Sequence, residues 1–142
     1  MIMKQLAVFV ENKTGKLCKA TKIIAENKIN LRALLIAETS DYGVLRIIVD
    51  NPLEAYEKLK AAGLTVVMND MIVVKMGDHS GSLNEILVLL APLDIGVEYL
   101  YAFLAVGQEN TAYVALRIES GKEQQAIEAL KAGGYIGTES IG

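Results

Sequence analysis

The chain has few reactive side chains. Its 142 residues include one cysteine, Cys18, one histidine, His79, and no tryptophan. A lone thiol excludes an intramolecular disulfide, and one thiol with one imidazole cannot complete a four-ligand zinc site. No Gly-rich phosphate loop, nucleophile elbow or His-containing metal pair occurs, so neither catalysis nor a metal or other cofactor is expected. Positive charge is also scarce. Fourteen Lys and Arg stand against seventeen Asp and Glu, a net charge of −3. Nucleic acid, which needs a basic face, is therefore not an expected partner. Long apolar runs are missing too. The longest, Ile86 to Leu93, contains Pro92 and falls far short of the roughly 20 residues that span a bilayer. Lys4 and Gln5 follow Met1-Ile2-Met3 directly, so no signal peptide is expected. The sequence reads as a soluble cytoplasmic protein without a membrane partner.

Apolar residues are plentiful, at 52%, and they repeat. A shift of 66 residues places Gly15 on Gly81, Val8 on Val74, Leu17 on Leu83, Ala25 on Ala91, Ile29 on Ile95 and Leu34 on Leu100. Further on, a shift of 71 places Leu45-Arg46-Ile47 on Leu116-Arg117-Ile118, Leu59-Lys60-Ala61 on Leu130-Lys131-Ala132 and Gly63 on Gly134. The five-residue difference is expected as one insertion at Gly107-Gln108-Glu109-Asn110, a hairpin tip.

Each copy reads as βαββαβ. In the first, Leu6 to Val10 is a short apolar strand. Thr14 to Asn27 carries Leu17, Ala20, Ile23 and Ile24 at helical spacing. Leu31 to Glu38 and Val44 to Val49 are strands around a polar loop. Asn51-Pro52 opens a second helix, with Leu53, Tyr56 and Leu59 inward and Gly63 at its end. Thr65 to Met68 closes the copy. The second copy has strands Ile72 to Lys75, Ile95 to Ala105 and Ala112 to Ile118, with a last one near Tyr135. Its helices are Ser80 to Leu90 and Gly121 to Ala132, the latter with Ser120 and Glu123 at capping-box spacing. Only Asn69-Asp70 is left as a linker. The expected fold is α+β: two ferredoxin-like units, 1–69 and 70–142, each an antiparallel sheet with both helices on one face. The apolar strands Leu31 to Ile36 and Ile95 to Phe103 are expected to pair edge to edge, giving about eight strands side by side. Leftover apolar surface points to a homodimer.

The turn Val10-Glu11-Asn12-Lys13-Thr14-Gly15 resembles the His-Glu-Asn-Arg-Pro-Gly turn of serine-sensing members of the ACT domain family, and Ile29-Asn30-Leu31 resembles their Val-Asn-Ile. The resemblance covers nearly the whole chain, as two domains. It implies a regulatory, amino-acid-sensing protein in which Asn12 and Asn30 hold the ligand across a domain interface. It also implies a separate amino-acid biosynthetic enzyme as a possible partner. The family's histidine is Val10 here and its proline is Thr14. In the second copy Asp78 and Gly96 replace the two asparagines. Serine specificity is therefore not carried over.

The chemistry agrees with a small zwitterion. The first turn of a helix has N–H groups without internal partners at the positive end of its dipole, which suits a carboxylate. Two non-identical ligand sites are expected between the copies. In one, Asn12, Lys13, Thr14, Gly15 and Leu17 face Gly96, Val97 and Glu98. In the other, Asp78, His79, Ser80, Gly81 and Leu83 face Asn30, Leu31 and Arg32. Asp78 would take an ammonium, Arg32 a carboxylate, and Gly15 and Gly81 would let the ligand approach the backbone. Simpler roles stand beside these: Thr14 and Ser80 as helix caps, Asn12 and Asn30 as turn residues, Cys18 as helix packing, Arg46 and Arg117 as solvent-facing strand residues. Two other functions compete, a ligand-free dimerisation subunit of a biosynthetic enzyme and a small enzyme on the same scaffold.

Overall fold

A computed structural model of the chain describes residues 1–11, 13–38, 41–135 and 137. Asn12, the first of the expected ligand asparagines, lies outside the described residues, as do parts of the first hairpin loop and of the last expected strand. The described residues form β1 (Ile2–Glu11), α1 (Lys16–Glu26), β2 (Leu31–Glu38), β3 (Tyr42–Val49), α2 (Pro52–Ala61), β4 (Thr65–Gly77), α3 (Ser82–Leu90), β5 (Val97–Leu104), β6 (Thr111–Ile118) and α4 (Glu123–Ala132). A short 3-10 turn, Ala91–Leu93, follows α3. The fold is α+β with antiparallel strands, as tandem ferredoxin-like units require. It has two compact units, Lys4–Asn69 and Met1–Met3 with Asp70–Gly142.

Within Lys4–Asn69 the strand order is β2-β3-β1-β4. Leu6, Val8 and Val10 of β1 alternate with residues on the other face, and join Leu45, Ile47 and Val49 of β3 under the helices. Ala20 and Ile24 of α1 and Ala55 and Leu59 of α2 close this core. Leu53, expected inward, is exposed, because the helical stripe runs through Ala55 and Leu59 instead. In the second unit the order is β4-β6-β5. Beyond β4, the Val73 N–H donates to Met1 O at 2.8 Å, and Val74 bridges Gly137. Its core joins Ile72, Val74, Val114 and Leu116 to Ile86, Leu90, Ala126 and Leu130 of the helices.

Three expectations need correction. First, β2 pairs with β3 and β5 with β6, and each is the last strand of its unit. Among the described residues the expected pairing of β2 with β5 is not among the strand pairs, and six strands are described where about eight were expected. Second, Asn69-Asp70 is not a linker but lies inside β4. No glycine or proline falls between Leu64 and Met76, and Thr65, Val66, Val67, Ile72, Val73 and Val74 all favour extended chain, so nothing ends the strand there. Third, the two copies align differently. Leu6 faces Ile47 and Ile72 faces Leu116, so β3 and β6 are related by 69 residues, not 71. Three extra residues lie in the β5–β6 hairpin and two between β6 and α4. A slip of two keeps side chains on the same face, so the apolar pattern did not reveal it. Arg46 therefore corresponds to Ala115, and Arg117 has no arginine counterpart.

Candidate functional site

Each unit carries a turn between its first strand and first helix, and the two turns end in the same backbone conformation. Gly15 precedes α1 with φ 87° and ψ −11°, and Gly81 precedes α3 with φ 91° and ψ −14°. These are left-handed values that only glycine adopts without strain. Each helix then opens alike: the Lys16 N–H donates to Lys13 O at 3.2 Å and the Ser82 N–H to His79 O at 3.3 Å. The next N–H groups, on Leu17 and Cys18 and on Leu83 and Asn84, have no acceptor within their helices. Thr14 and Ser80 are not caps, because the glycines occupy the cap position and neither helix start has a side-chain cap bond. A side chain built on Gly15 or Gly81 would meet nothing within 4 Å. The left-handed conformation calls for glycine at both positions, and no neighbouring protein atom does.

The side chains around the turns differ. At the first turn Lys13 Nζ lies 3.1 Å from Glu11 Oε2, and this contact holds the Glu11 carboxyl below its usual pKa. Lys13 and Leu17 border a cleft of about 120 Å³ with Ile36, Glu38 and Gly43. At the second turn, Asp78, His79, Gly81 and Leu83 line a cleft of about 380 Å³ with Ser82 and Asn84. His79 Nδ1 lies 3.1 Å from Ser80 O, and the Asp78 N–H donates to Asn110 O at 2.8 Å. Cys18, expected to pack, is exposed on α1.

The remaining candidates lie at the start of β2 and β5. Within each unit this is the far end from the turn: Leu31 sits opposite Val49, whereas Glu38 and Glu11 both reach the Tyr42–Gly43 end of β3. Seven residues of strand, roughly 23 Å, separate the two ends. Asn30 and Arg32 are already engaged there by a residue the sequence did not single out. Asn30 Nδ2 donates to Asp50 Oδ2 at 2.9 Å, and Arg32 Nε to Asp50 Oδ1 at 2.5 Å. Arg32 first, then Asn30, draw the Asp50 pKa below its ordinary value. Arg32 is thus paired within its own unit. In the second unit the counterpart of Asp50 is Glu119, which accepts the Gly96 N–H at 2.9 Å and contacts Lys122 Nζ at 2.9 Å. Those two contacts lower its pKa, the Gly96 bond most. Arg32 and Glu98 both sit at a strand irregularity near the start of their strand, and Glu98 lies 3.8 Å from Arg117 Nε. Leu31 is exposed, and Val97 is half-buried against its unit's core. The carboxylates at 50 and 119 were missed because only strand register brings them to residues about twenty positions earlier.

Among the described residues no group of three or more His, Cys, Asp or Glu side chains is placed to hold a metal ion. No helix among them is long and apolar enough to cross a membrane.

Two ferredoxin-like units in one chain, each opening its first helix on a left-handed glycine, define a class that comparison then fixes. The chain belongs to the ACT domain pair family, whose model matches residues 1–140. This is a regulatory type of domain. The chain is similar to protein BT0572 from Bacteroides thetaiotaomicron, with 35% identity, a TM-score of 0.87, and coverage of 96% of this chain and 93% of that one. In fold it is also similar to the ligand-free regulatory subunit of aspartate kinase from Thermus thermophilus, at 15% identity and a TM-score of 0.64, covering 92% of this chain and 91% of that one. The regulatory subunit of aspartate kinase from Thermus flavus shares 13% identity at a TM-score of 0.59, with 92% of each chain covered. No curated protein matches the sequence.

Proposed function

We propose that the chain is a regulatory protein that binds a free amino acid at its helix-start turns and acts on a separate enzyme of amino-acid metabolism. The observation that carries this reading is the turn itself. The same left-handed glycine opens α1 and α3, and each leaves helix N–H groups directed out of the first turn, where a carboxylate is stabilised. Polar side chains beside the turn, Asp78 above all, suit the ammonium of the same ligand. Solved structures of similar fold are regulatory subunits of aspartate kinase, which supports a partner enzyme on another chain. A homodimer is part of the proposal, since Leu31 and Leu34 on β2 and Leu104 on β5 leave apolar surface exposed. Regulation follows if the ligand favours one arrangement of the protein over another.

A thermal-shift screen against the twenty amino acids tests the reading. A ligand at a hundred times its Kd stabilises by about 2.7 kcal/mol, which raises the melting temperature of a chain this size by several degrees. At least one amino acid is expected to do so. A flat response to all twenty contradicts the proposal and favours a ligand-free dimerisation subunit.

A further inference from the structure

The helices of the two units differ where their cores do not. α3 turns Ser82, Ile86 and Leu90 into its own core. On its other side Val88 is 55% exposed, and Ala91 and Pro92, which follow at helical spacing, are exposed too. Glu85 is the one charged residue of the helix. A helix that is apolar on both sides is normally covered on both. α1 occupies the same place in the other unit, and the same positions are polar there. Lys19 stands for Glu85, Thr21 for Leu87, Lys22 for Val88 and Glu26 for Pro92. The fold itself therefore does not require an apolar surface at that place.

Charge separates the helices as well. α1 and α2 carry five lysines and three glutamates, whereas α3 and α4 carry one lysine and three glutamates. Glu85 accepts the Tyr135 hydroxyl at 3.5 Å. Among the described residues neither Glu85 nor Lys19 has an ion-pair partner. The face of α1 that Lys19 and Lys22 share also holds the small side chains of Cys18 and Ala25, both exposed. Small residues let another helix approach, and a lysine stem covers apolar surface while its ammonium stays at the rim. Like faces do not match. α3 on α3 sets Glu85 against its own copy, and α1 on α1 sets lysine against lysine. The unlike faces do match, apolar centre on small residues and acid on base.

We propose that the exposed face of α3 is a docking surface for a second copy of this chain, which meets it with the Cys18, Lys19, Lys22 and Ala25 face of α1. Val88, Ala91 and Pro92 lose their solvent against that face, and its lysines flank Glu85. The contact is heterologous, one face meeting a different one. It uses neither β2 nor β5, whose exposed leucines support the homodimer above, and it does not rest on the amino-acid reading.

Thiol trapping decides the matter. One full-length chain keeps its native Cys18. The other carries Cys18→Ser and Val88→Cys, so its sole thiol lies on α3. A flexible bismaleimide should join the two chains when they are mixed and should join neither to itself. The yield should fall about fivefold when the second chain also carries Glu85→Lys, since an exposed ion pair is replaced by repulsion. It should recover when the first chain then carries Lys19→Glu and Lys22→Glu. All the substituted positions are exposed, and each chain's melting temperature is checked before mixing. Either chain coupling to itself as readily as the mixture overturns the proposal, because like faces or random collision then account for the product. So does a mixture that stays uncoupled, or one indifferent to Glu85→Lys. A flat amino-acid screen leaves this contact standing, and loss of the contact leaves the amino-acid reading standing.

Discussion

Gly15 and Gly81 read in the sequence as gaps through which a ligand could approach the backbone. Their φ values of 87° and 91° give a further reason for glycine: an L side chain there strains the backbone by roughly 1–2 kcal/mol. Gly15→Ala and Gly81→Ala should each lower unfolding free energy by about that amount in urea titrations without ligand. A loss below about 0.3 kcal/mol would show that the conformation is not what requires glycine. Asp50 is the residue-scale feature that escaped the sequence. Its folded pKa is lowered, so its pairing with Arg32 stabilises the fold above the ordinary carboxylate range and is lost as pH falls through the folded value. The stability difference between wild type and Asp50→Asn should be flat from about pH 5 to 8 and shrink below about pH 4. A difference that grows on acidification would contradict this. Asn30 and Arg32 were legible as polar residues at a strand start. Their common partner was not, because nothing local in the sequence encodes cross-strand register.

Helix ends show where local chemistry is legible and where it is overruled. At α2, Asn51 accepts the Glu54 N–H at 3.3 Å and Pro52 takes the first helical position, as the sequence implies. Gly63 follows with φ 87°, and the Leu64 and Gly63 N–H groups close the last carbonyls of Leu59 and Lys60. At α4 the expected capping box is absent. Lys122 occupies the cap position without a side-chain bond, and Glu123 reaches back to the Gly121 N–H at 2.8 Å. The two extra residues after β6 leave Ser120 two positions short of the cap. Asn51→Ala should therefore cost about 1 kcal/mol, and Ser120→Ala less than about 0.5 kcal/mol, both by denaturant unfolding. Equal losses would mean that Ser120 caps α4 after all. Strand positions and faces were legible from period-2 alternation. The unbroken β4 was not, since two polar residues between apolar runs look the same in a linker and in a strand.

At the scale of the whole molecule, the repeat announced two similar units, and each has its own core. The sequence did not show that Met1–Met3 groups with Asp70–Gly142. Met1 packs against the second core and accepts the Val73 N–H. Removing residues 1–3 should speed hydrogen exchange at Val73 well above that of Leu6 and Val8. The candidate site was legible in kind, through glycine and polar residues at two helix starts. The most direct measurement of the central claim is an amide NMR titration of the chain with whichever of the twenty amino acids raises its melting temperature. Shifts at the helix-start N–H groups, Leu17 and Cys18 or Leu83 and Asn84, are the predicted result. A ligand that leaves all four unmoved would contradict it.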